Sequence, residues 1–192
     1  MTPAAAGQHP PAMPPADPDP SDPTTPTPRT DPPFGSSERP ALREWLDYQR
    51  ATLELKCAGL DREGLIARPV ASSLLSLHGL VRHMAEVERS WFRRVLEGQD
   101  APPLYYDDEH PDGDFEFIED ADWRADLATW HAECDAARAI EAAAPSLEVT
   151  GTSRRGSTVD LRWIMIHMIE EYARHNGHAD LLRELVDGSV GD

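Results

Sequence analysis

Four stretches of this chain repeat apolar residues at three- and four-residue intervals, and no stretch of similar length alternates with the period of two that a strand requires. In "SSERPALREWLDYQRATLELKCAGL", Leu42, Trp45, Leu46, Tyr48, Leu53 and Leu55 follow helical spacing, with Ser36 or Ser37 placed to cap, Pro40 suited to a first turn and Gly59 as a stop. In "SLLSLHGLVRHMAEVERSWFRRVLEG", the stripe is Leu77, Leu80, Met84, Val87, Trp91 and Val95, closed by Gly98. A third helix is predicted from about Asp120 to Ala144, on Trp123, Leu127, Trp130, Cys134, Ala137 and Ile140. A fourth starts near Asp160 and ends before Gly188. "DREGLIARPVASS" and the acidic segment 100–120 read as connections, and "PSLEVTGTSRRGSTV" as a long connection with room for a short hairpin. The expected fold class is all-α, a four-helix bundle, with no internal repeat.

The 192 residues suit one domain plus extras, and the 40% apolar share suffices for one core. Residues 1–37 hold 12 of the 18 prolines and little that could be buried, so they are expected to be a disordered Pro-rich tail. The bundle is then expected over residues 38–188, with 189–192 as a short C-terminal tail. Against 35 Asp and Glu stand only 18 Lys and Arg, a net charge of -17, which argues against a nucleic-acid partner. There is neither an apolar run of membrane-spanning length nor, in "MTPAAAGQHPPAMPP", the basic and apolar regions of a secretory signal. The expectation is a cytoplasmic protein with no membrane partner, as a monomer or homodimer. Cys57 and Cys134 are expected to be buried free thiols.

The fourth stripe contains an anomaly. It runs Leu161, Ile164, Met168, then Glu171 and His175, and on to Ala179 and Leu182. A carboxylate on a buried stripe needs a strong partner, because isolated burial of its charge costs several kcal/mol. Two readings of Glu171 and His175 are open. They form a polar pair satisfied by Arg174 or Arg82, or they hold a metal ion, for which carboxylate and imidazole are both good ligands. At i and i+4 the two share a face. His167 and His175, at i and i+8, are roughly 12 Å apart along the axis and do not share an ion. A third ligand must come from another helix, and His83, three after Leu80 and four before Val87, is the candidate. Three protein ligands leave positions open for water or substrate, as in catalytic sites.

His178, at i+3 from His175, is either a ligand in place of Glu171 or a group behind the ligands. His167 is expected near the site as an orienting group or general base, or as a packed histidine, and His78 as an ordinary helix residue. Asp108, His110, Asp112, Gly113, Phe115 and Glu119 fall at calcium-loop positions, but His110 and Pro111 fit that loop poorly. A solvated acidic loop is expected there.

Together, "LLSLHGLVRHMAEVERSWF" and "LRWIMIHMIEEYARHNGHADLLRE" resemble the DinB-like superfamily, in the branch similar to mycothiol-dependent maleylpyruvate isomerase and related thiol-dependent transferases. The resemblance covers roughly residues 38–188. It implies a four-helix bundle with crossover connections and a divalent metal held by three side chains from two helices. The usual three histidines become two and a Glu in this branch, matched here at "EYARH", so the implied ligands are His83, Glu171 and His175. Zn²⁺ is the first choice, with Ni²⁺, Mn²⁺ and Fe²⁺ compatible. The implied chemistry is activation of a low-molecular-weight thiol such as mycothiol for transfer to, or isomerisation of, a small electrophile. Arg82 is expected to serve thiol binding, and His167, His178 and Arg174 to assist with protons or anionic groups. The alternative is a non-catalytic module that binds a metal or a small molecule.

Overall fold

The computed structural model of the chain describes residues 26–191. Four long helices pack together: α1 (Glu38–Cys57), α3 (Leu77–Glu88, continued as a π-helix over Arg89–Leu96), α5 (Trp123–Ala143) and α6 (Leu161–Asp187). Between them lie two short helices, α2 (Arg62–Ile66) and α4 (Gly113–Glu116), and an antiparallel hairpin of β1 (Thr150–Thr152) and β2 (Thr158–Asp160) that pairs Gly151 with Val159. The all-α, four-helix expectation therefore holds. No helix among the described residues is long and apolar enough to cross a membrane.

Local chemistry sets the helix ends. The Asp160 carboxylate accepts the Trp163 N–H at 2.8 Å and opens α6, while Gly188, at φ 82°, closes it in the left-handed region that favours glycine. Ser76 caps α3 through the Gly79 N–H, three residues later than the sequence suggested. Asp122 caps α5. The linker after α1 contains α2, capped by Asp61, which short apolar runs do not announce.

The core joins Leu53, Leu80, Val81, Met84, Trp130, Ile164, Met168 and Tyr172, all 1% exposed or less. Trp45, which follows the helical spacing of α1, is 47% exposed and packs edge-on against Tyr48. Inside the core, Arg50 of α1 grips Glu88 of α3 through two 2.8 Å hydrogen bonds. Tyr172 of α6 donates to Glu88 at 2.8 Å, and the Trp130 indole N–H of α5 donates to Tyr172 at 2.9 Å. One buried polar chain thus touches all four long helices. Cys57 and Cys134 are buried free thiols.

Of the twelve residues of α3, only His83 and Val87 are not buried. Neighbouring elements seal this helix everywhere except along that one-turn window. The acidic segment expected to be a solvated loop folds down beside it. Glu86 accepts the Tyr105 N–H at 2.7 Å, Arg82 donates to the carbonyls of Gly113 and Phe117, and Ile118 is fully buried.

Much of the stretch expected to be a Pro-rich tail, residues 1–25, lies outside the described residues. Within residues 26–37, the Thr27 N–H donates to Glu54 at 3.0 Å and Arg29 sits 5.0 Å over the Tyr48 ring, so this part runs alongside α1.

Candidate metal centre

The window in α3 faces the anomalous part of α6. His83, Glu171 and His175 each present a ligand atom, and these atoms lie within 4.8 Å of one another. The rings of His83 and His175 are 4.8 Å apart, and His175 Nε2 is 3.5 Å from Glu171 Oε2. Two donors that share an ion at about 2 Å each stand roughly 3–3.5 Å from one another. The Glu171–His175 pair meets that spacing.

The tautomers suit a cation. His83 Nδ1 lies 2.7 Å from Asp114 Oδ2. An ionised carboxylate only accepts, so Nδ1–H donates and the Nε2 lone pair of His83 is left for the site. His175 Nδ1 lies 3.3 Å from His178 Nδ1, which leaves its Nε2 toward Glu171. Burial, followed by the positive potential of His83, His178 and Arg174, pushes the His175 imidazole down to about 3. It is therefore neutral at physiological pH, the form that binds metal. Glu171 is mostly buried, with a side chain 16% exposed, so its charge needs the compensation that a cation would bring.

The remaining candidates take distinct places. His167 Nε2 is 3.5 Å from Glu171 Oε1, the oxygen opposite the one facing His175. Its ring stacks on Trp163 at 4.8 Å and meets Trp91 edge-on at 4.8 Å. His178 stands behind His175 rather than in place of Glu171. Arg174 is exposed, paired with Glu170, and 3.7 Å from Glu171. The Arg82 guanidinium is buried against the Gly113 and Phe117 carbonyls and lies 4.3 Å over the Tyr105 ring, so it braces the α4 segment. His167, Glu170 and Glu171 form a second group of suitable spacing. All three come from one helix, and the outer member is taken up by Arg174. The calcium-loop residues form no such group among those described; Glu119 pairs with Arg68 at 3.1 Å and His110 with Glu116 at 3.4 Å.

Sequence reasoning missed Asp114. It sits in the non-periodic segment, with nothing in its spacing to mark it, and reaches His83 only because Arg82 and Glu86 fold that segment onto α3.

The mycothiol-S-transferase family model matches residues 41–188, well over half of the chain. The chain belongs to the mycothiol-S-transferase family. The match runs from the first turn of α1 to the end of α6 and includes all three donors. No curated protein matches the chain at a significant level.

Proposed function

We propose that this chain is a divalent-metal-dependent transferase that joins a mycothiol-like low-molecular-weight thiol to a small electrophile. The observation that supports this best is the meeting of His83 on α3 with Glu171 and His175 on α6, in a member of a mycothiol-S-transferase family. In this reading His83, Glu171 and His175 hold the cation, with Zn²⁺ first and Ni²⁺, Mn²⁺ or Fe²⁺ also suited to two imidazoles and a carboxylate. When bound, the cation supplies the positive charge that favours thiolate over thiol.

The chain's own residues do the rest. Asp114 keeps His83 in the Nδ1–H tautomer, and His178 braces the far nitrogen of His175. His167, whose ring stands beside Glu171, accepts the proton of the incoming thiol on its unprotonated nitrogen. The sulfur then forms a bond to the electrophilic carbon. Either a leaving group departs with the electron pair, or an opened double bond or epoxide takes a proton in return. Arg174, at the exposed edge, offers its charge to an anionic part of either substrate. The protein's own thiols do not compete, because burial pushes Cys57 up to about 12 and Cys134 higher still.

Elemental mass spectrometry on protein purified without a nickel column, followed by thiol consumption assays with monochlorobimane as electrophile, tests this reading. About one equivalent of metal and thiol-dependent turnover are expected. His175→Ala should lose both the metal and part of the fold's stability, and full occupancy in that variant refutes the ligand set. Metal without turnover across a panel of thiols would instead favour the binding-module alternative.

A further inference from the structure

Trp91 stands between two cavities. One, of about 240 Å³, is lined by His83, Val87 and Asp114. The other, of about 490 Å³, lies between the π-helix, the hairpin and the start of α6. Ser90 and Trp91 line both. In the larger one the Trp91 and Trp163 rings are 5.1 Å apart and inclined at 54°. His167 extends this aromatic wall, stacked on Trp163, and ends it beside Glu171. Val95 and Val159 add apolar surface. Although His167 and Trp91 pack against it, Trp163 is still 46% exposed.

The rim of this cleft is positive in a chain of net charge -17. Arg39, Arg43, Arg50, Arg89 and Arg93 are all held by glutamates. Arg154 and Arg155, by contrast, line the cleft with no ion pair among the described residues, Arg154 lying 5.8 Å over the Tyr106 ring. They sit at the tip of the β1–β2 turn, and that tip is fixed. The Ser153 N–H donates to the Ser157 carbonyl and the Gly156 N–H to the Ser153 carbonyl, both at 2.8 Å, while Gly156 takes φ 78°. The hairpin itself is seated on the π-helix where Gly151 meets the Val95 carbonyl, a contact that leaves no room for a Cβ.

We propose that this cleft binds a flat aromatic molecule bearing a carboxylate or similar anionic group. Its ring lies against Trp91 and Trp163, its acid meets Arg154 and Arg155, and its far end points to His167. Aromatic faces take a planar ring at van der Waals distance, and guanidinium forks match the geometry of a carboxylate. The smaller cavity, which His83 lines, is left for the thiol. That this occupant is the acceptor of the thiol rests on the transferase reading; that it binds does not.

The test titrates metal-free and metal-loaded full-length protein, without thiol, by ligand-observed NMR. The probes are 1-naphthoate, neutral 1-naphthalenemethanol and non-aromatic cyclohexanecarboxylate. Naphthoate should bind about tenfold tighter than either of the others. In R154A/R155A it should fall to the affinity of naphthalenemethanol, whose own binding stays unchanged. Trp163→Ala should weaken both aromatic probes and leave metal content as it was. Equal binding of the three probes, or naphthoate binding untouched in R154A/R155A, overturns the proposal. Because no thiol or turnover enters this measurement, it stands or fails apart from the transferase reading, which the metal and thiol-consumption assays decide.

Discussion

Replacing Asp114 with Asn isolates the one residue of the site that periodicity does not mark. The Asp114 side chain is 7% exposed and its Oδ2 lies 2.7 Å from His83 Nδ1, a charge-assisted hydrogen bond by length. Asn keeps the volume and an accepting oxygen, so the fold is spared, but the negative charge that raises the basicity of the imidazole is lost. Groups in this position typically change metal affinity by about 10–100-fold, which corresponds to roughly 1.4–2.7 kcal/mol. Competition for Zn²⁺ against a chromophoric chelator reads that loss directly. Asp112→Asn, an exposed neighbour two residues away, serves as the control and should bind as the unaltered protein does. The Asp114 variant should also keep its urea midpoint without metal. If Asp114→Asn holds Zn²⁺ within twofold of the unaltered chain, His83 is not oriented as described, and its place in the ligand set fails with it.

Glu88→Gln removes the buried carboxylate that Arg50 grips and leaves it only Asp47, at 3.0 Å and partly in water, and urea unfolding should show a loss of about 3–5 kcal/mol; a loss under 1 kcal/mol would mean that the pair is spare. Both cysteines should resist a thiol-specific chromogenic reagent at pH 8 and react only on unfolding. Cys57, pushed up to about 12, stays protonated in the fold, and its labelling should begin only as the pH approaches that value. Rapid labelling of the native protein at pH 8 would contradict the burial of both thiols. Gly151→Ala forces β1 away from the Val95 carbonyl and should destabilise the chain by about 1–3 kcal/mol, measured by the same urea titration. An unchanged midpoint would show that the hairpin is not seated as described.

The four long helices were readable because each sends an apolar stripe into the core, and such a stripe leaves a period near 3.6 even on α3, whose polar residues are buried as well. The same period exposed Glu171 and His175, since a charged and an imidazole side chain stood where Met or Leu was due. His83 was reachable for a related reason, as it borders the stripe of α3. Trp45 shows that an aromatic residue at helical spacing can pack on a neighbour at the surface. The contacts of Arg82 were not legible, because adjacency to a ligand in sequence says little about where a long side chain goes; its direction on the helix takes it to the carbonyls of the α4 segment. Asp114, the π-helical continuation and the pairing of Trp91 with Trp163 depend on contacts between elements far apart in the chain. No local pattern encodes them.

The two-residue opening in the central helix also limits where this protein can change. Any alteration of size or polarity at the other ten positions of α3 is felt by the packed interior, and His83 is tied to its own role. Val87, partly buried and packed against the core, can vary at less structural cost than those ten while facing the cavity beside the donors. Selection for a different acceptor would find its cheapest starting point there.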